Sequence, residues 1–324
     1  MKNSHDTEWL EQNNWGKWGP HDEVGILNEV TSQSVVEAVK LIKQGKVYDL
    51  ETVRFKGMPV WPGHAGWDLL VYASPSGRRN MYESEIDPSY NWYAKGGWCD
   101  KEINKFDVGL NTEVIIGPLH VGTHIDALSH LTVGKDNHWY NGFNEKDHFS
   151  NFGPMKADAS TIPPMIMRGV LLDVPGYKGV DHLQPGEAIT PEDIIGCAKW
   201  AEVEIKKGDA VLIRTGERWP EMDLAPGAGV TLEAARYLVE QKNVYLIGDD
   251  QSAFENFPES NTTSFPGHIH PVHHYLLIQM GVHIMEMVQL EELAKDKAYE
   301  FCFMGFPNKI KCSTGMMIRP VAVK

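Results

Sequence analysis

The sequence predicts a mixed fold, α/β or α+β, on three observations. Helix-patterned and strand-patterned segments alternate along the chain. No internal repeat, low-complexity tract or Ser/Gly linker divides it. The 324 residues, 42% of them hydrophobic, can fill a sizeable core. Together these predict a single domain over residues 1–324, with an N-terminal extension (about 1–45) and an aromatic-rich insertion (about 64–105).

The helices have start and stop signals. Thr31–Gln44, TSQSVVEAVKLIKQ, begins at a capping residue and ends before Gly45, so it reads as a helix. Thr190-Pro191-Glu192-Asp193 opens another: Thr caps, Pro takes the first helical position, and acids sit at the positive helix end. Thr231 begins a third, TLEAARYLVEQ. Strand patterns fall at 210–214 (AVLIR) and 244–247 (VYLI). Further strands are predicted at 114–120, 168–174, 282–287, 299–305 and 315–323. Residues 64–105 carry Trp67, Tyr72, Tyr82, Tyr90, Trp92, Tyr93 and Trp98 among Gly, Ser and Asn. This excursion reads as a packed surface loop ahead of a substrate-facing lid, with a subunit interface as a third role. Asp249-Asp250-Gln251 follow the strand YLIG, where strand ends often line sites; a solvated turn reads at least as well, so they stay outside the expected site.

Charge and cysteine usage narrow the function. The net charge is −14, and the densest basic runs are only Lys206-Lys207 and Arg78-Arg79, which argues against nucleic acid as a partner. Cys99, Cys197, Cys302 and Cys312 are far apart, form no CxxC pair, and read as reduced thiols of a cytoplasmic protein. MKNSHDTEWLEQNNW lacks the apolar core of a signal peptide, and no apolar run approaches the ~20 residues that span a bilayer. No membrane partner is expected.

Two clusters carry the chemistry. In LHVGTHIDALSHL, His120, His124, Asp126 and His130 lie at offsets 0, 4, 6 and 10. All offsets are even, so an extended segment places the four groups on one face. A helix, turning about 100° per residue, would divide them. Gly122 and Gly117-Pro118 also disfavour a helix, so an extended segment, bent at Gly122, is predicted. Imidazoles and a carboxylate suit Zn²⁺, Mn²⁺ or Fe²⁺. Downstream, GHIHPVHHYLLIQMGVH holds His268, His270, His273, His274 and His283, and Glu286 follows. Pro271 is placed to begin a helix ending at Gly281, and the strand VHIMEMV then carries Glu286. One or two of these histidines, with Glu286, would complete a coordination shell. The others read as capping or surface groups.

HVGTHIDALSH resembles the HxGTHxDxxxH signature of the cyclase-like metal-dependent hydrolases, which include bacterial kynurenine formamidases and isatin hydrolases. MPVWPG (58–63) is similar to that family's early strand and turn, WGPHDEVGILN (18–28) to the N-terminal signature of its longer members, and TGMMIRPVAV to its closing strand. The resemblance implies a β-barrel-like mixed sheet flanked by helices, of the swivelling β/β/α type, assembled as a homodimer or homotetramer. It implies that His120, His124 and Asp126 are metal ligands, with Asp126 able to bridge two ions, and that His130 does acid–base work. A later His and Glu complete the site. Glu286 fits the Glu, and the pair His273-His274 offers two candidates, of which the family's helix favours His273. The implied cofactor is a divalent metal, Mn or Zn, as one or two ions.

The expected chemistry follows from the donor set. A metal lowers the pKa of bound water from about 15.7 to about 7, and the resulting hydroxide attacks an amide, lactam or lactone carbonyl. His130, with an ordinary pKa near 6.5, would move the proton. Trp61 in VWPGH reads equally as a wall for a flat substrate and as a core residue beside a Pro-Gly turn. The expected function is a metal-dependent hydrolase, arylformamidase- or isatin hydrolase-like. It would cleave a C–N bond of an amide, formamide or cyclic amide in a small, aromatic or cyclic molecule. The alternatives are a lactone hydrolase or a cyclase/hydratase on a small carbonyl substrate and, in another class, a non-catalytic metal-dependent binding protein.

Overall fold

The computed structural model describes residues 12–74, 102–221, 224, 227–256 and 268–324. Contacts divide the chain into two compact units, Met1–Val53 with Leu119–Lys324, and Arg54–Pro118. The strands, in order, are β1 (Val47–Asp49), β2 (Asp68–Ala73), β3 (Thr112–Ile116), β4 (His124–Asp126), β5 (Phe149–Ser150), β6 (Gly153–Pro154), β7 (Met165–Asp173), β8 (Ala188–Ile189), β9 (Ala210–Arg214), β10 (Gly229–Val230), β11 (Leu246–Asp249), β12 (His283–Glu286), β13 (Glu300–Gly305), β14 (Gly315–Met317) and β15 (Val321–Val323).

Nine of them form one sheet in the first unit, in the order β1-β15-β13-β7-β9-β11-β12-β4-β14. Its centre, β7-β9-β11-β12, is parallel. Every residue of β9, β11 and β12 is buried, as expected of parallel strands covered on both faces. The flanks are antiparallel, with β13, β15 and β1 on one side and β4 and β14 on the other. The sheet curls into a half-barrel flanked by helices, the barrel-like mixed architecture that the resemblance implied.

Local signals place most elements. Pro191–Trp200 opens on a full capping box: Asp193 N–H donates to the Thr190 hydroxyl, and the Asp193 carboxylate accepts from Thr190 N–H. Thr231 caps Leu232–Arg236, which continues as a π-helix over Tyr237–Gln241. The helix predicted over 31–44 is shorter, Ser32–Val39. Beyond it the N–H groups of Gln44 and Lys46 donate to the Lys324 carbonyl, drawing the chain into the β1–β15 pairing. The strand predicted at 244–247 forms at Leu246–Asp249. The closing strand predicted at 315–323 is broken into β14 and β15. Pro320 between them lacks an N–H and cannot continue a ladder.

In the second unit, β2 and β3 pair antiparallel, so the strand expected at 114–120 sits instead at Thr112–Ile116. Leu69, Leu70, Val71, Val114, Ile115 and Ile116 are all exposed on this ribbon, while Trp67 is buried. Tyr82, Tyr90, Trp92, Tyr93, Trp98, Cys99 and Arg78-Arg79 lie outside the described residues. Among the described residues, Cys197, Cys302 and Cys312 are free thiols. No helix among them is long and apolar enough to cross a membrane.

Candidate metal centre

The stretch 119–131 is not one extended segment. Only β4, His124–Asp126, is a strand, so the same-face argument holds for His124 and Asp126 alone. His120 and His130 arrive by bends. Gly122 takes φ +54°, a left-handed conformation that favours glycine, and turns the chain between His120 and β4. His130 N–H donates to the Ala127 carbonyl in a tight turn beyond β4. The two rings meet in a stack with centroids 4.0 Å apart. Thr123 holds β4 in place: its N–H donates to the Thr52 hydroxyl at 2.6 Å, and its own hydroxyl donates to the Met287 carbonyl at 2.7 Å.

Sheet register assembles the core of the site. His124 on β4 pairs with Glu286 on β12, and Asp126 pairs with Gly315 on β14. Directly opposed residues project from the same face, so the first histidine cluster meets the glutamate that sequence assigned to the second. A Cβ at position 315 would collide with the His120 ring, so the glycine there makes room for it. The second cluster contributes His273. The helix begins at Pro271 as predicted, becomes a π-helix over His274–Met280, and ends at the left-handed Gly281.

The resulting distances are short. Asp126 Oδ1 accepts from His120 Nδ1 at 2.8 Å and lies 3.5 Å from His124 Nε2. Asp126 Oδ2 lies 3.8 Å from His273 Nε2 and 3.9 Å from His130 Nε2. Glu286 Oε2 lies 3.3 Å from His124 Nε2, and Glu286 Oε1 lies 3.2 Å from His273 Nε2. Two donor sets, each with its atoms within 4.8 Å of one another, share Asp126: one adds His120 and His124, the other His273 and Glu286. His120 is further held at Nε2 by the Thr314 hydroxyl, 2.9 Å away.

The remaining histidines of the second cluster stand elsewhere. His274 faces His268, Nδ1 to Nε2 at 2.9 Å, with the rings stacked. His283 is three residues before Glu286 on β12, so it takes the other face and donates to the Asp126 carbonyl. His270 lies beside Glu255. Trp61 belongs to the second unit and is half-buried there.

The hydrogen bonds fix the imidazole tautomers. Gly122 offers only a carbonyl to His124 Nδ1 at 2.8 Å, so Nδ1 carries the proton and Nε2 presents a lone pair. His273 Nδ1 donates to the Glu255 carboxylate at 2.7 Å, leaving its Nε2 likewise an acceptor. In the neutral form that a metal ligand takes, both lone pairs face the oxygens of Glu286. Asp126 Oδ2 and Glu286 Oε1 are buried without a hydrogen-bond partner among the described residues. Buried carboxylate oxygens in this condition are costly. A cation among them satisfies every acceptor at once, so the donor set fits a divalent metal.

The electrostatics agree. Burial acts to raise Asp126, but His130, His120 and His124 outweigh it and hold the carboxyl far below the usual range. Burial likewise acts to raise Glu286, and His124 and His273 overcome it. Burial would lower His124 and His273, yet Glu286 with Asp126 raises the first and Glu255 with Glu286 raises the second well above the ordinary value, so without a cation the rings hold an extra proton at Nε2 that metal binding would displace. His130 differs. Burial pushes it down to about 3, Asp126 opposing and His120 and His273 assisting, so it is neutral at neutral pH and does not keep the ordinary value near 6.5.

Two acidic groups at the site escaped the sequence reading. Asp249 ends β11, and its Oδ2 is buried without a hydrogen-bond partner. Burial, Asp250 and Glu286 all raise its carboxyl well above the usual range. The solvated turn expected at 249–251 is thus overturned: all three residues are buried, because β11 runs through the middle of the sheet. Asp250 is structural, accepting from Thr215 N–H and hydroxyl and from Gly216 N–H. Glu255 is the other, and no spacing rule points to it.

Comparison with known proteins bears on the family and the fold. The sequence profile of the Cyclase family matches residues 48–256. The crystal structure of a novel cyclase is similar over 98% of this chain and 99% of its own, at 29% identity and a TM-score of 0.78. Isatin hydrolase A from Labrenzia aggregata, bound to benzyl benzoate, is 20% identical, with 86% of this chain and 93% of its own covered and a TM-score of 0.56. An isatin hydrolase bound to the product analogue thioisatinate is 17% identical, with 90% and 98% covered and a TM-score of 0.57. At such identities the isatin hydrolases speak for the fold. Comparison with curated proteins returns no match. With its profile spanning more than half of the sequence, the chain belongs to the Cyclase family.

Proposed function

We propose that the protein is a metal-dependent hydrolase that cleaves an amide-type C–N bond in a small aromatic or cyclic molecule. The observation that carries this reading is the set of opposed acceptors: the Nε2 lone pairs of His124 and His273 face Glu286 oxygens at 3.3 and 3.2 Å. His120, His124, Asp126, His273 and Glu286 hold the divalent ion, Mn or Zn, and Asp126 is placed to serve two ions because both donor sets include it. When bound, the metal supplies Lewis-acid polarisation of a carbonyl and acidifies its water to a pKa of about 7.

The chain's own groups do the rest. Asp126 and Glu286 supply the negative charge that retains the ion. His130 is neutral, so its imidazole accepts a proton from water and returns it to the departing nitrogen. The likeness of fold to isatin hydrolases supports C–N cleavage over lactone opening.

A panel of formyl-anilines, isatins, cyclic imides and lactones, assayed with Mn²⁺ or Zn²⁺, tests the reading. Turnover of an amide-type substrate, abolished by chelator and restored by metal, is expected. Lactone-only turnover would overturn the bond assignment, and metal-loaded protein inert on every substrate would point to a binding protein.

The protein is further proposed to be a homodimer or homotetramer. The β2–β3 ribbon supports this, since a two-stranded ribbon of exposed apolar residues is marginal alone in water. Light scattering should give two or four chain masses; a monomer mass would rule the assembly out.

A further inference from the structure

Glu255 is fully buried, yet it lies outside the five groups assigned to the metal. Its carboxylate is filled by N–H donors. Oε1 accepts from His273 Nδ1 at 2.7 Å, from His273 N–H at 3.3 Å and from His270 Nδ1 at 3.3 Å. Oε2 accepts from Val272 N–H at 3.1 Å. The side chain therefore holds the first turn of the helix begun by Pro271 and the imidazole of His273 together. Its own backbone is fixed: Glu255 bridges to Val230, and a Cβ at Gly229 would strike the Phe254–Asn256 main chain.

We infer that Glu255 is a positioning residue for metal binding, acting through His273. Its acceptor oxygen commits the His273 proton to Nδ1 and aims Nε2 between Asp126 Oδ2 and Glu286 Oε1. Carboxylates that orient a ligating histidine in this way also make the imidazole a better donor. The inference rests on the reading that His273 holds the metal.

Glu255, His270 and His273 also bring three donor atoms within 4.8 Å of one another. A second ion there would need lone pairs where the structure has N–H groups. It would also need His273 Nδ1, whose proton is what leaves Nε2 free for the inner site. Orientation, not ligation, accounts for both nitrogens of His273 together.

Co²⁺ affinity, measured by competition with a chromogenic chelator, tests the inference on the full chain. The variants are Glu255→Ala, Glu255→Gln, His273→Ala and the double variant Glu255→Ala/His273→Ala, each checked for folding by circular dichroism. Glu255→Ala is expected to weaken Co²⁺ binding by roughly 10–100-fold. Glu255→Gln, whose amide oxygen still accepts from Nδ1, is expected to lose less. The double variant should bind no more weakly than His273→Ala alone, because Glu255 acts through that ring. Wild-type affinity in Glu255→Ala would overturn the inference. So would an equal loss on adding Glu255→Ala to His273→Ala, which marks a merely structural role. Wild-type affinity in His273→Ala would instead overturn the ligand reading beneath it. Should Glu255→Ala not fold, Glu255→Gln carries the same cycle, with a loss that vanishes in the His273→Ala background expected.

Discussion

Asp126→Asn is expected to strip the site of metal and take turnover down to the chelated background while the fold survives. The substitution keeps the side chain's shape and removes only its charge. Asp126 is the one group common to both donor sets, with Oδ1 toward His120 and His124 and Oδ2 toward His273 and His130. Neutral imidazoles hold a dication weakly unless an anion stands among them, and Glu286 alone leaves half the cluster without one. The loss in affinity should exceed the roughly 10–100-fold typical of outer-sphere partners. His124→Ala should behave alike, since it removes the Nε2 donor between Asp126 and Glu286. Elemental analysis of dialysed protein, turnover of the best substrate from the panel, and thermal unfolding check the three parts. Full metal content with normal turnover in either variant would defeat the assignment.

How much of this was legible in the sequence depends on the range over which each signal acts. Thr190, Pro191 and Asp193 act within one turn, and the helix they announce is present with its capping box complete. Ala210–Arg214 is buried throughout and forms as predicted. The even spacing of His120, His124, Asp126 and His130 pointed to convergence, and the bend expected at Gly122 is present, but the same-face argument holds only for His124 and Asp126. A single strand would have spread the groups along some 30 Å at about 3.3 Å per residue, whereas bends at Gly122 and after Ala127 fold them onto one another. The choice between His273 and His274 lies beyond a periodic pattern, because the helix becomes π at His274. Register made that choice, by placing Glu286 across from His124 and leaving His274 against His268. Glu255, 18 residues before His273, reaches it only through tertiary packing, and no local rule encodes that meeting.

His130→Ala should separate catalysis from binding: metal content unchanged, turnover down by ~10²–10⁴-fold, the usual contribution of a general acid–base group. Exposure distinguishes His130 from its neighbours. Its side chain is 28% accessible, against 11% for His120, 7% for His273, 6% for Glu286, 3% for His124 and 1% for Asp126. A proton carrier needs that access to substrate, and a buried ligand does not. Its Nε2 stands 3.9 Å from Asp126 Oδ2, outside hydrogen-bond range, so no partner in the cluster ties it down there. His120, its stacking neighbour, stays anchored by Asp126 and Thr314 when the ring is removed, which is why the metal should remain. Metal loss in His130→Ala equal to that in Asp126→Asn would make His130 a ligand and leave the proton transfer to another group, for which Asp249, buried at the end of β11 with an unpartnered oxygen, is the nearest acid in chemistry to be tested next.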